Sequence, residues 1–209
     1  FYTVLDALHR PYKVFRHRLG EPVEKDELVF HEPDEAFFLG VATTRSRAFI
    51  LLELEAKTTS EVWFVPADRP QEPFRVVQRR RRHVEYQVEH HGDTFFILHN
   101  HRAKNFELAR TPVARPAARN WKPLLRHRKQ VLLEDVSAFR NHLVVYEREG
   151  GLEHIRVRHL ATGAQHRIAF PEAVYTVAEG ANPEFDTNTL CFTYSSLVTP
   201  ASEFVMTTS

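Results

Sequence analysis

FFLGVATT (37–44), VEYQVEHH (84–91), VLLEDVSA (131–138) and VYTVAEGA (174–181) are four restarts of one pattern. They begin at Phe37, Val84, Val131 and Val174, at intervals of 47, 47 and 43 residues. Each reads as a strand and is followed by further strand-like runs separated by turn residues. A unit of this length with four strands is the mark of a β-propeller blade.

Working outward, the segments fall into five units, with approximate bounds 1–34 (partial), 37–81, 84–127, 131–170 and 174–209 (partial). The expected fold is therefore all-β, a partial β-propeller with about three full four-stranded blades and two incomplete ones. Phe1 opens directly on a strand-like run and no initiator Met precedes it, so a piece of a larger protein is expected, one blade domain over 1–209. His91-Gly92-Asp93, Gly150-Gly151 and Thr162-Gly163 are the clearest hairpin turns. The second segments of the middle units, 49–54, 95–98 and 143–146, are expected to be buried between neighbouring blades. Strand alternation is imperfect, as expected where both faces of a sheet are packed. The best helical candidate, EDVSAFRNHL (134–143), lies across a predicted turn.

Composition excludes several classes. Lys plus Arg (28) nearly cancels Asp plus Glu (27), so no net field draws the chain to nucleic acid or to a membrane surface. AFILL (48–52) is far too short to span a bilayer. Cys191 is the only cysteine, which favours a reducing compartment, and a cytoplasmic location is expected. The sixteen Phe and six Tyr suit strands.

No catalytic residue is identified. None of the seven glycines flanks a serine in a G-x-S-x-G elbow, the strained turn that presents a nucleophile to its base. Ser195 and Ser196 read as turn residues, and Cys191, within TLCFTY, as a small buried hydrophobe. His90, His91, His99 and His101 flank one hairpin. His99-x-His101 would place two imidazoles on one strand face, but no third ligand is indicated, and solvated or hydrogen-bonded histidines are the default. No metal or cofactor site is assigned, and the absence of a glycine-rich loop excludes a dinucleotide cradle. The basic runs Arg79-Arg80-Arg81-Arg82-His83 and RHRK (126–129) fall at the same place in the repeat, the exit from an outer strand. A solvated charged rim is the simpler reading of them than phosphate binding.

RPYKVFRHRLG (10–20), KTTSEVWFV (57–65), RRRRHVEYQVEHHGDTFFILHN (79–100), AKNFELARTP (103–112) and YSSLVTPASEF (194–204) together resemble the propeller domain of the oligopeptidase B branch of the prolyl oligopeptidase family. The resemblance covers nearly the whole chain in order. It implies a serine peptidase in which a seven-bladed propeller caps an α/β-hydrolase domain holding a Ser-Asp-His triad. The partners it implies are the remaining blades, that catalytic domain and short basic peptides cut after Arg or Lys. The triad lies outside this chain, so the chain alone is expected to be inactive and to gate access. The first segment of each unit is expected to border the channel, and Glu85, Gln87, Glu89, Glu134 and Asp135 are its candidate contacts with a cationic peptide. The rival reading is a non-enzymatic propeller that serves as a binding scaffold, because fold does not fix function. The open arc should leave apolar faces on its terminal units, with Phe1, Tyr2, Phe15, Phe30, Tyr175, Phe192, Tyr194 and Phe204 as candidates, and self-association should follow.

Overall fold

The computed structural model describes residues 1–208. Its strands form five antiparallel sheets, each built from consecutive strands in chain order, so every sheet is a simple meander. Unit one holds β1 (Tyr2–Leu5), β2 (Pro11–Arg16) and β3 (Glu27–His31). Unit two holds β4 (Phe38–Thr43), β5 (Phe49–Ala56), β6 (Thr59–Pro66) and β7 (Arg75–Gln78). Unit three holds β8 (Tyr86–His91), β9 (Thr94–His99), β10 (Glu107–Pro112) and β11 (Lys122–Leu125). Unit four holds β12 (Val131–Ala138), β13 (His142–Glu149), β14 (Leu152–His159) and β15 (Gln165–Arg167). Unit five holds β16 (Tyr175–Glu179), β17 (Thr189–Ser196) and β18 (Ser202–Thr207). The fold is all-β, as the repeat predicts. Residues 134–143 form no helix: they are the end of β12, a turn and the start of β13.

The middle strands explain the missing alternation. In β5, Leu51 faces unit three while Leu52 and Leu54 face unit one. In β9, Phe95 and Ile97 pack on unit two while Phe96 and Leu98 pack on unit four. In β13, Leu143 and Val145 meet unit three while Val144 and Tyr146 meet unit five. Consecutive residues are buried on opposite faces, so the runs are continuously apolar. Each such side chain contributes about 1.5–3 kcal/mol by leaving water. The Gly150-Gly151 turn has positive φ at both residues, 59° and 85°, which lets a two-residue loop join the directly paired Glu149 and Leu152.

Polar joints fix how the sheets meet. The Tyr86 hydroxyl of unit three accepts the Val62 amide at 2.7 Å and donates to the Gln78 carbonyl at 2.5 Å, both in unit two. Ser60 exchanges two hydrogen bonds with the Tyr86 backbone. Arg10, in the RPYKVFRH segment, donates to the carbonyls of Asp34 and Phe37 and to the Asp6 carboxylate, and so ties the β1–β2 turn to the entry of unit two.

The aromatic residues expected on the open faces divide. Tyr2 and Phe204 are exposed, while Phe1, Phe15, Phe30 and Tyr175 are half-buried. Phe192 and Tyr194 are buried, which corrects the expectation for them. They project from β17 toward unit four, where Tyr194 stacks with Phe170 and Tyr175. Cys191, expected to be buried, is half-exposed.

Candidate functional site

The first strands of units two to five end at one place. Arg45 follows β4, Glu89 lies near the end of β8, Ser137 near the end of β12, and Glu179 closes β16. Arg45 Nη2 donates to Glu179 Oε1 at 3.0 Å and to Ser137 Oγ at 3.1 Å, and Nη1 donates to the Asn182 carbonyl. Ser137 Oγ donates to the same Glu179 oxygen at 2.8 Å. Glu89 accepts the Ala138 amide at 3.2 Å. These contacts bring the ends of the first strands of units two to five together. A cleft opens there, lined by Thr43, Thr44, Arg45, Arg47, Glu89, Asn182 and Pro183.

The end is acidic. Glu89, Asp135 and Glu179 surround one guanidinium, and only Glu179 pairs with it directly. Burial pushes Glu89 up to about 7, against the pull of Arg45 and the Ala138 amide, and Asp135 and Glu179 push the same way. Burial likewise raises Asp135, with Glu179 adding to it. Tyr146 stands directly across from Asp135 in the β12–β13 ladder, and its hydroxyl is buried with no hydrogen-bond partner.

The five sequence candidates separate. Glu89 and Asp135 come together at the hairpin end. Glu85 precedes β8 and is closed off in a two-bond exchange with Asn100. Gln87 is exposed on the same face of β8 as Glu89. Glu134 sits at a bulge between Leu133 and Asp135 and is bound by Arg148 at 2.7 Å. Arg148 claims Glu134, while Asp135 stands across from Tyr146, so the two acids serve different neighbours.

Sequence reasoning missed Arg45, Ser137, Glu179 and Asn182. A signal existed for Glu179: it lies five residues past Val174, as Glu89 lies five past Val84. Nothing in TTRSRA marks Arg45.

Two further expectations change. β9 ends at His99, so His101 lies in the following turn and the two imidazoles share no strand face. His99 is buried against Trp121, with ring centroids 4.7 Å apart. His90 and His91 are joints between units: His90 Nδ1 meets Ser46 Oγ at 2.6 Å, and His91 Nε2 meets the Arg140 carbonyl at 2.7 Å. Among the described residues, no three His, Cys, Asp or Glu side chains are gathered to hold a metal ion. The basic runs are not simply a solvated rim. Arg79 lies over Trp63 at 4.4 Å, and Arg80 binds buried Glu32 and Glu61, while Arg81 and Arg82 are exposed. Ser196, read as a turn residue, caps its turn by accepting the Val198 and Thr199 amides.

The family profile described as prolyl oligopeptidase, N-terminal beta-propeller domain, matches residues 1–208. "Protease 2" of Moraxella lacunata is 37% identical over 204 residues, which cover 98% of this chain and 29% of the relative. "Dipeptidyl aminopeptidase BI" of Pseudoxanthomonas mexicana is 35% identical over 197 residues, 94% of this chain and 27% of the relative. Among solved structures, oligopeptidase B from Trypanosoma brucei with covalently bound antipain, in its closed form, superposes with a TM-score of 0.91 at 25% identity, over 99% of this chain and 31% of that one. The chain thus spans less than a third of the length of each of these relatives.

Proposed function

Because the chain belongs to the prolyl oligopeptidase family and lies within its N-terminal β-propeller domain, we propose that it is the substrate-gating part of a cytoplasmic serine oligopeptidase that hydrolyses short peptides after Arg or Lys. The reaction would take the acyl-enzyme route at a Ser-Asp-His triad carried by a catalytic domain elsewhere in the same protein. The propeller's part is selection by size and charge. A narrow channel admits an extended peptide and rejects a folded chain. The observation that supports this reading is the gathering of Glu89, Asp135 and Glu179 near one end of the first strands, where Arg45 is paired to Glu179 and Arg47 lines the same cleft. Glu89 and Asp135, which no arginine pairs directly, are the groups that would take a cationic peptide there.

The test uses the protein at its full length. Short fluorogenic peptides ending in Arg or Lys should be cleaved, and casein or a folded protein should not. Asp135→Asn should raise KM for peptides carrying several basic residues, with kcat little changed, and leave singly charged peptides nearly unaffected. Failure to hydrolyse any basic peptide, together with no labelling by a fluorophosphonate, would favour the binding-scaffold reading instead.

A further inference from the structure

Arg45 belongs to the hairpin of unit two, yet its partners lie in units four and five. Among the described residues, the other hydrogen bonds and ion pairs at this end link neighbours, although the His91 ring also touches Phe185 in the long connection of unit five. Ser46 reaches His90 from unit two to three, and His91 reaches the Arg140 carbonyl from three to four. Arg140 then donates its amide to the Phe185 carbonyl and pairs with Asp186, from four to five. These contacts trace the circumference. Arg45 passes unit three and reaches residues of the inner strands themselves, Ser137 of β12 and Glu179 of β16, so it acts as a chord.

The place where its guanidinium sits has the chemistry of a guanidinium receptor. One carboxylate oxygen, one hydroxyl and one carbonyl take its N–H groups, and the fully buried Phe139 ring lies 4.7 Å from its central carbon. A planar fork of donors matches that set, and a lysine ammonium does not. The receptor is also pre-shaped. The Asn182 side chain donates to the carbonyls of Gly180 and Cys191 and accepts the Cys191 amide, which locks the turn carrying the Asn182 carbonyl. A Cβ at position 180 would stand 2.8 Å from the Cys191 sulfur, so glycine is what lets that turn close.

We propose that Arg45 is a clasp: seated across the channel in a receptor made by units four and five, it sets the width of the hairpin end and holds unit two in register with unit five. The inference stands on the propeller's geometry and does not depend on the peptidase reading. Releasing the clasp would let the hairpins at 43–47 and 179–183 move independently.

Amide hydrogen exchange on the full-length protein tests it. Arg45→Ala should speed exchange in 179–183 and 43–47 about tenfold, while amides of β9 and β13 stay unchanged. Millimolar methylguanidinium should slow it again at least threefold by refilling the receptor, and methylammonium should not. If Arg45→Ala loosens the whole chain, Arg45→Lys, which keeps the charge and loses the fork, gives the reading. Loosening confined to the two hairpins supports the clasp. Unchanged exchange in both hairpins overturns it, as does rescue by methylammonium equal to that by methylguanidinium.

Discussion

Arg128, in the basic run that leaves unit three, donates from Nη2 to Oε1 of Glu147 in unit four at 2.6 Å. Glu147 has no exposed surface, and it also receives Arg156 at 2.7 Å and Arg167 at 2.6 Å. One carboxylate therefore joins the exit of one sheet to two strands of the next. Removing it strands Arg156, which is itself largely buried. Glu147→Ala should cost about 2–4 kcal/mol, since breaking a buried pair leaves an uncompensated charge. Arg128→Ala should cost less than about 1 kcal/mol, because its guanidinium reaches water. Urea denaturation of the two variants checks the ranking, and equal losses would contradict it.

The same group sets part of the acid limit. Burial alone would raise Glu147, but the hydrogen bonds from Arg156 and Arg167 win and hold it at about 2, below the ordinary 4.5. A carboxyl depressed on folding adds stability that is present above its unfolded value and lost as pH falls through the folded one. The loss should run from about pH 4.5 down toward 2. His142, which burial depresses to about 4 from 6.5, adds an earlier loss between those values. Glu89 has the opposite sign: raised to about 7, it adds stability present below about 4.5 and lost as pH rises through 7. Urea midpoints against pH should lose the lowest acid step in Glu147→Gln and climb more steeply between about pH 4.5 and 6.5 in Glu89→Gln, where the gain from His142 is no longer offset. Profiles identical to the parent's would refute the assignment.

The isolated 209-residue chain should not hydrolyse peptides. Its sequence holds no nucleophile elbow, and Ser196 is committed to two backbone amides of its own turn. Purified chain with a fluorogenic arginine substrate should give no turnover above buffer. Activity abolished by a serine-directed inhibitor would show that a nucleophile has been overlooked.

The fold was legible because the repeat is long-range: four restarts constrain one another even where single strand ends drift. The restart read from Val84 becomes a strand only at Tyr86, and the last strand of its unit starts at Lys122, because the flanking residues are drawn into joints. Val84 gives its carbonyl to the Ser60 amide, and the Trp121 indole reaches Pro116. The site was legible only where it followed the repeat. Glu89 sits on the first strand of its unit and was a candidate from its position in the repeat. Asp135 was separable from Glu134 only once Arg148 was seen to bind Glu134. Arg45 was invisible because its partners are more than ninety residues away in sequence and meet it only when the arc curves back. Arg80 and Arg128 looked solvated because a basic run carries no mark of which member turns inward.

The last expectation concerns the open arc. Each inner unit has both faces covered, but units one and five are covered on one side only among the described residues. Tyr2, stacked on Phe15, and Leu28 remain exposed on unit one, and Val205 on unit five. β1 and β18 also pair on one side only, so each presents a free edge. Apolar surface beside an unpaired edge favours addition of another chain. Phe192 and Tyr194 do not contribute, since unit four covers them. The isolated chain should therefore self-associate at tens of micromolar, or aggregate on mild heating. Val205→Glu on β18, on the face opposite Phe192 and Phe204, should shift light scattering toward monomer, whereas Phe192→Glu should unfold unit five and worsen aggregation. The contrast is the test. A parent chain that elutes as monomer across a dilution series, with cooperative thermal unfolding, would mean that the uncovered faces carry too little apolar surface to drive association.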